Sequence, residues 1–319
     1  MMTPFDFSEK TVEHIVHNLV DRNMIGRTIT GEPLYRMPIE DSGGRYRNVI
    51  VNKLENENRR ELEIRCQSEE NTLGMIRHDN IAVLLGSIWR HDMILLVYED
   101  MENGSLDEWL HHHHHPTEAG DRRRPPLGWP ARRSIATDVA RGICYMHHEC
   151  NNPIVHRNIK PADIWLDRNL KAKIAGFGVA RINVAGLGRP LVNAQLPTGA
   201  FGYTAPEYTT MPDQVTEKVD VYSFGVILLE LVTGRLANGT GVNGHLATWA
   251  QRGHGGDFSN VVDTDMPNRA WYMKEMKAVF KLGVECTAME PKERPSMETV
   301  LRRLSRCGDS WWGRCICFK

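Results

Sequence analysis

The stretch IVHRNIKPADIWLD, residues 154–167, contains side chains that could hold a charged substrate or a metal ion. Lys160 carries a positive charge, and Asp163 offers the hard carboxylate oxygens that Mg²⁺ prefers. Asn158 lies between His156 and these two residues, but an amide cannot accept a proton from a reacting group. The stretch therefore has parts of a catalytic loop without an evident general base.

Composition limits the class of protein. The chain has 319 residues, of which 41% are hydrophobic, enough for one large domain or two lobes with a full core. Its net charge is −1, with 39 basic and 40 acidic residues, so no global field favours nucleic acid or an anionic membrane. The seven cysteines show no paired spacing typical of a disulfide framework or a zinc site, which favours a reducing cytosol. No signal peptide and no apolar window of about 18 residues is present.

The first part of the chain predicts a small, strand-rich lobe. Residues 95–100, LLVYED, form an apolar run of strand length that ends in acidic residues. Residues 111–128 begin HHHHHPTEAGDRRRPP, a low-complexity segment that we expect to be a solvated loop. This loop interrupts the domain without ending it.

The second part predicts a helical lobe. From Trp129 onward, apolar residues recur at helical spacing, and residues 220–235 are apolar nearly all round, which is typical of a buried helix. Gly234 lies near the expected end of that helix. Residues 279–286 and 297–304 predict two further amphipathic helices. The apolar face after Trp129 is formed by Ile135, Val139, Ile143 and Met146.

In order and spacing, these segments resemble the protein kinase family, specifically the cytoplasmic kinase domain of plant leucine-rich-repeat receptor kinases. The resemblance covers residues 13–305 and rests on LLVYEDMENGSLDEWLH, MHHECNNPIVHRNIKPADIWLD, AKIAGFGVAR, FGYTAPEY, DVYSFGVILLELVTGR and ERPSMETVL. It implies a bilobal α+β fold with a β-rich N-lobe and a larger helical C-lobe. The implied boundaries are a flank at 1–12, an N-lobe at 13–100, a C-lobe at 101–305 and a tail at 306–319.

The resemblance implies ATP and Mg²⁺ as cofactors, but the sequence departs from the family where chemistry occurs. Asn158 stands where the family has the Asp that orients and deprotonates the substrate hydroxyl. Gly176, in AGFG, stands at the Asp that ligates Mg²⁺. Asp163 occupies the second metal position as one weak ligand, and Lys160 is retained. We therefore expect weak or absent binding of ATP and Mg²⁺.

Two positions beside the nucleotide also differ. The segment RNVIVNKL resembles the strand that carries the phosphate-pairing Lys, and it places Asn52 there. Lys53 is adjacent, but successive strand residues point to opposite faces, so it should face away. Glu69 fits the helix Glu that would pair with that Lys and would then face an amide; it fits a solvated helix residue equally. Glu99 and Met101 fit the hinge that contacts the nucleotide.

The glycine-rich loop IGRTITGEPLYR keeps Gly26 and Gly31 but has Thr28 at the middle glycine. A side chain at this position hinders close backbone approach to phosphate, and Pro33 removes a strand hydrogen-bond donor. Ala200 replaces a family Ser or Thr. These changes predict impaired phosphate binding.

The framework positions of the family are kept. Glu207 and Arg294 match its buried ion pair between the activation segment and the C-terminal helices. Asp220 matches the residue that holds the catalytic-loop backbone. The fold positions therefore persist where the chemical positions have changed.

Several segments allow two interpretations. The changes at Asn158 and Gly176 also fit decay of an unneeded copy. The tract His111 to His115 fits a metal site or a solvated insert, and we favour the insert.

Cys315 and Cys317 fit acylation or membrane contact, but loose tail packing is favoured. Thr198, Tyr203 and Thr204 fit phosphorylation sites with Arg157 as the receiving cation, or ordinary surface hydroxyls.

The sequence predicts a pseudokinase that binds active receptor-like kinases or other signalling proteins, without nucleic acid. We expect a cytoplasmic location, with the plasma membrane reached through partners, because the chain has no apolar span. The alternatives are a Ser/Thr kinase with residual phosphotransfer through Lys160 and Asp163, and a truncated, non-functional receptor remnant. The resemblance implies relatives with an extracellular repeat domain and a membrane span, so we expect this chain to be either a soluble product or incomplete at its start.

Overall fold

The two lobes expected from the sequence are present. A computed structural model describes residues 7–28, 31–40, 44–55, 58–111, 125–191, 201–239, 245–252 and 257–312, and the side chains of the last helix up to residue 307. A five-stranded antiparallel sheet forms the first lobe, and helices dominate the second. Within the described residues, no helix is both long and apolar enough to cross a membrane.

The N-lobe sheet has the strand order β1-β2-β3-β5-β4. In β3, residues 49–51 are all buried, and Val51 lies opposite Val97 of β5. Such β-branched neighbours on paired strands stabilise a sheet. Pro33 is the first residue of β2, where a missing N–H is tolerated. The strands of this sheet are β1 Met24–Arg27, β2 Pro33–Glu40, β3 Tyr46–Leu54, β4 Leu84–Trp89 and β5 Ile94–Glu99.

Two helices pack on the N-lobe sheet. α1, Glu9–His17, begins at an N-cap where the Ser8 side chain accepts from Thr11 N–H, and it buries Ile15 completely. This helix crosses the expected boundary between residues 12 and 13. α2, Arg59–Met75, buries one side facing the cleft between the lobes. Its first turn is capped by the Asn58 side chain.

A buried central helix organises the C-lobe. α6, Lys218–Thr233, has every residue from 219 to 233 buried, and it ends at Gly234 with φ 66°, the left-handed cap favoured by glycine. The apolar face predicted after Trp129 is fully buried in α4. The C-lobe helices are α3 Leu106–His111, α4 Trp129–Cys144, α5 Glu207–Thr210, α6, α7 Leu246–Gln251, α8 Met273–Cys286 and α9 Met297–Trp312.

Short strand pairs line the C-lobe side of the cleft. Their backbones carry the loops that follow residues 155, 166 and 174. The strands are β6 Ile154–Val155 paired with β9 Arg181–Ile182, and β7 Ile164–Leu166 paired with β8 Ala172–Ile174.

The first residue of the histidine tract is buried and is not part of a solvated insert. His111 ends α3, its side chain is 5% exposed, and its Nε2 lies 3.2 Å from Glu230 Oε1. The expectation of a solvated loop is therefore wrong for His111. The other four histidines lie outside the described residues, and the described residues contain no cluster of His, Cys, Asp and Glu that could hold a metal ion.

The expected ion pair between the activation segment and the C-terminal helices is present. Arg294 Nη1 and Nη2 donate to the two carboxylate oxygens of Glu207 at 2.6 and 2.7 Å, and both side chains are fully buried. Arg294 also donates to the carbonyls of Ala288 and Lys218. Loss of either partner leaves an uncompensated buried charge.

We expect Arg294→Ala to lower the free energy of unfolding by about 3 to 5 kcal/mol, because Glu207 then stays buried without its cation. Urea denaturation measures this loss. The matched control is Arg303→Ala, which breaks a pair with Glu285 at 2.9 Å on the exposed surface and should cost about 0 to 1 kcal/mol. Equal losses in the two variants would contradict the assignment.

Candidate functional site

A cleft of about 820 Å³ lies between the lobes and gathers most of the predicted site residues. Its volume suits a drug-sized ligand. Gly26 and Gly31 do not line it, although Thr28 between them does. The predicted residues that line it are Asn52, Glu69, Glu99, Met101, Asn158, Lys160, Asp163 and Gly176.

A buried carboxylate holds the catalytic loop in place. Asp220, in the first turn of α6, accepts from the backbone N–H groups of His156 and Arg157 at 2.8 and 2.7 Å. His147 Nε2 lies 2.9 Å from the same carboxylate. Arg157 has φ 71°, a left-handed conformation that is unusual for a side-chain-bearing residue. The role expected of Asp220 is therefore formed in the structure.

Asn158 and Asp163 contact each other. Asn158 Nδ2 donates to Asp163 Oδ2 at 3.3 Å, and Lys160 Nζ lies 3.4 Å from the same oxygen. Asn158 Oδ1 is buried without a hydrogen-bond partner among the described residues. The carboxylate of this loop therefore faces an amide and a lysine, and the position of the family's base holds an amide.

Burial raises the pKa of Asp163 to about 6, although the positive charge of Lys160 opposes the shift. The charges of Glu69 and Glu32 raise it further. The carboxyl group is therefore uncharged in a substantial fraction of molecules in mildly acidic solution.

The residues present do not fit a magnesium site of the family's kind. Gly176 has no side chain, and its φ of 78° and ψ of 48° place it in the left-handed region. A Cβ added there would lie 2.9 Å from Asp163 Cγ, closer than side chains pack. Asp163 remains as one carboxylate, already in contact with Asn158 and Lys160. One carboxylate alone is a poor ligand set for Mg²⁺.

Asn52 occupies the middle of β3, facing the cleft. It lies between Leu34 and Leu96 of the neighbouring strands, and its Oδ1 is buried without a partner among the described residues. Lys53 does not line the cleft, and its Nζ pairs with Glu55 at 2.7 Å. The strand alternation expected from the sequence therefore holds, and Lys53 does not replace the missing cation.

Glu69 is held by partners that the sequence reading did not identify. Its Oε1 accepts from the Tyr98 hydroxyl at 2.6 Å and from the Phe177 backbone N–H at 3.2 Å. The residue is 7% exposed, so the alternative of a solvated helix residue is wrong. Burial raises the pKa of Glu69, and these two donors partly offset the shift. We call the Tyr98–Glu69–Phe177 contact the αC clasp, because αC is the protein kinase family's name for the helix at the position of α2.

Two backbone donors of the glycine-rich loop are bonded within the loop. Thr28 N–H donates to the Glu32 carbonyl at 2.8 Å, and Gly31 N–H donates to the Thr28 carbonyl at 2.9 Å. The Thr28 hydroxyl bonds the Glu32 carboxylate, which also pairs with Arg65 at 3.2 Å. Neither N–H is available to cradle a phosphate. Glu32, which the sequence reading missed, adds a negative charge to the cleft wall.

The hinge end of the cleft is apolar. Leu34, Ile50, Ala82 and Met101 form a buried cluster there. The Met101 carbonyl accepts from Arg36 Nη2 at 2.8 Å. Glu99 Oε1 accepts from Val83 N–H and from Lys173 Nζ, so this side chain braces the hinge.

The structure describes some, but not all, of the hydroxyls proposed for phosphorylation. The Tyr203 hydroxyl donates to buried Glu230, and burial raises its pKa well above the usual range. This contact argues against a free surface hydroxyl. Arg157 donates to the Tyr208 hydroxyl at 3.2 Å. Thr198 and Ala200 lie outside the described residues, as do Cys315 and Cys317.

We expect Tyr98→Phe to lower the free energy of unfolding by about 1 to 3 kcal/mol, because the buried Glu69 carboxyl loses its hydroxyl donor. Urea denaturation with an unchanged m value would show it. Tyr46→Phe is the control, since Tyr46 is 73% exposed. A Tyr98→Phe protein as stable as this control would show that the clasp is energetically unimportant.

Asp163 should make stability depend on pH between about 4 and 6. Its pKa is about 6 in the folded protein and about 3.9 when unfolded, so the folded state binds more protons in this range and stability falls as pH rises. On acidification from pH 7 to 4.5, the native protein should gain about 2 kcal/mol relative to Asp163→Asn. Chemical denaturation at each pH measures the difference. Parallel profiles of the two proteins would contradict this assignment.

Comparisons with known proteins agree with this geometry. The family model for the protein kinase domain matches residues 43–304, a match that begins after the glycine-rich loop. From Arabidopsis thaliana, MDIS1-interacting receptor like kinase 1 is 39% identical over 240 residues, 74% of this chain and 23% of the relative. LRR receptor-like serine/threonine-protein kinase RGI1 is 34% identical over 310 residues, 95% of this chain and 26% of the relative.

Receptor-like kinase TMK2, also from Arabidopsis thaliana, is 38% identical over 250 residues, 77% of this chain and 27% of the relative. The chain thus spans about a quarter of the length of these curated relatives. The bilobal fold, the Asp220 contacts, the buried Glu207–Arg294 pair and the family match lead to one conclusion. This chain is a member of the protein kinase domain family, related to the plant leucine-rich-repeat receptor-like kinases.

Proposed function

We propose that this chain is a pseudokinase, a kinase fold that binds signalling partners without efficient phosphoryl transfer. The observation that carries the proposal is the αC clasp, in which neutral donors hold Glu69 instead of a lysine. In an active protein kinase, a lysine pairs with this Glu and with the nucleotide phosphates. Here the contacts that hold Glu69 of α2 involve neither such a lysine nor a nucleotide phosphate.

The chemical positions support the same proposal. Phosphoryl transfer consists largely of positioning and stabilisation of charge by a lysine, metal ions and a base-position Asp. Asn52 and Asn158 are amides in the cleft, and Gly176 offers no ligand. We expect weak or absent binding of ATP and Mg²⁺.

The proposed partners are active receptor-like kinases or other signalling proteins, since the fold presents a kinase surface without its chemistry. This assignment rests on relationship to receptor-like kinases and is an inference from the fold. The proposed setting is cytoplasmic, with contact to the plasma membrane made through such partners.

A second candidate is a Ser/Thr kinase with residual activity, and one observation favours it. Asp163 has a pKa of about 6, close to the value that suits a general base at neutral pH, and Lys160 lies beside it. Effects of residues that act as a unit are not additive, so several losses need not abolish turnover.

Intact-mass measurement with ATP and Mg²⁺ separates the two candidates. We expect no detectable phosphate on the native protein. A repaired variant should gain phosphate at least about a hundredfold faster than the native protein. This variant carries Asn52→Lys, Asn158→Asp, Asp163→Asn and Gly176→Asp. The Asp163→Asn change is needed because a carboxylate at 176 would lie against the carboxylate at 163, and two like charges would repel. The control is the repaired variant with Lys160→Ala, which should lose the gain.

Phosphate on the native protein would support the residual kinase, provided that Lys160→Ala in the native sequence removes it. A native turnover of about 1 to 100 per second would exclude the pseudokinase. Limited proteolysis of the native protein tests the third interpretation, since a decayed remnant would yield no stable core.

A further inference from the structure

The cleft has an apolar end and a polar end. At the hinge, the buried cluster of Leu34, Ile50, Ala82 and Met101 is flanked by Trp165 and Ala175. Such walls suit a flat aromatic body. The polar end lies where the catalytic loop meets α2, and it decides which substituent the aromatic body can carry.

Charge at the polar end is not suited to a polyphosphate. Glu69 and Asp163 line it, and the Lys160 ammonium is already 3.4 Å from Asp163. Glu32 adds a third carboxylate, paired with Arg65. Seven acidic and six basic residues line the whole cleft, so it provides no net positive field for an anion.

Of the further cations on the wall, Arg60 is exposed, and three others donate to backbone carbonyls of the protein. Arg27 donates to the Gly31 carbonyl at 2.8 Å, and Arg157 donates to the Val179 carbonyl at 3.1 Å. Arg181 donates to the Ala180 carbonyl at 2.9 Å. An anion would have to displace these contacts to gain their charge.

The hydrogen-bonding groups of the cleft are also not suited to a polyphosphate. Asn52 Oδ1 and Asn158 Oδ1 are buried acceptors without a partner among the described residues, and both residues line the cleft. The terminal torsion of asparagine is broad, so a modest rotation presents either oxygen to a ligand. The N–H groups of Thr28 and Gly31, which could bind a phosphate, are satisfied within their own loop. Two buried acceptors of the cleft are therefore unpaired among the described residues, and two loop N–H groups are not available to a phosphate.

We infer that this cleft binds a neutral or cationic aromatic ligand that donates hydrogen bonds, in preference to an anionic nucleotide. The inference rests on the proposed function, because it requires that the cleft is not used for phosphoryl transfer. A protonated amine attached to an aromatic ring would place its donors among Asn52, Asn158 and Asp163. A triphosphate in the same place would meet carboxylates and acceptors.

Titration calorimetry on the full chain tests the inference with three probes that share one ring. The probes are 9-(3-aminopropyl)adenine, whose amine is protonated, adenosine, which is neutral, and ATP with and without Mg²⁺. We expect the amine to bind about tenfold tighter than adenosine, since it gains one hydrogen bond to a buried acceptor or charge. ATP should bind most weakly, with or without Mg²⁺.

Asn52→Lys should reverse this preference, since it removes an acceptor and adds a cation facing the cleft. The amine should lose about tenfold and ATP should gain at least as much. The matched control is Lys53→Asn on the opposite face of β3, which should leave the order unchanged. Thermal unfolding and circular dichroism confirm that both variants are folded.

The inference would be overturned by ATP binding to the native protein as tightly as the amine, or by no binding of any probe at millimolar concentration. A native preference for the amine that Asn52→Lys leaves intact would also overturn it, because the polar end would then not set the selectivity. Phosphate gain in the mass experiment tests the proposed function separately. Phosphate gain on the native protein would reject the proposed function, whereas tight ATP binding without phosphate gain would reject only the inference about the ligand.

Discussion

The buried carboxylate of Asp220 is the interaction on which the rest of the site depends. It is fully buried and accepts two backbone N–H groups of the catalytic loop, including that of left-handed Arg157. A residue in this conformation persists only where its surroundings fix it. Because α6 is buried along its length, Asp220 ties the loop to the buried core of the C-lobe. Asn158 and Asp163 take their positions from this loop.

The framework carboxylates are hydrogen-bonded, whereas two buried oxygens in the cleft have no partner among the described residues. The framework carboxylates of Glu207 and Asp220 have several donors each, whereas the oxygens of Asn52 and Asn158 have no partner among the described residues. An unsatisfied buried acceptor costs about 1 to 3 kcal/mol. The fold bears this cost at two positions of the cleft, while the framework contacts stabilise it elsewhere.

Sequence reasoning predicted what depends on local pattern and failed where partners are distant in the chain. The buried helix ending at Gly234 and the inward face of α4 follow from the spacing of apolar residues. The contact of Glu69 with Tyr98 joins α2 to β5, and nothing in the spacing reveals it. His111 was misplaced for the same reason, since the residues that follow it in sequence are polar while Glu230 is 119 residues away.

In an active kinase, the charges of lysine, metal and nucleotide couple closure of the lobes to substrate binding. In this chain the αC clasp joins α2 to β5 and to the start of the activation segment through neutral donors. The lobes are also linked by backbone hydrogen bonds, with Ala82 N–H donating to the Ile174 carbonyl and Ile174 N–H to the Asn80 carbonyl, both at 2.9 Å. Since a ligand shifts a conformational equilibrium only by its differential affinity for the two states, the proposed function implies that ATP has little effect on how the lobes are linked. The surface that such a chain presents to its proposed partners would then not depend on nucleotide.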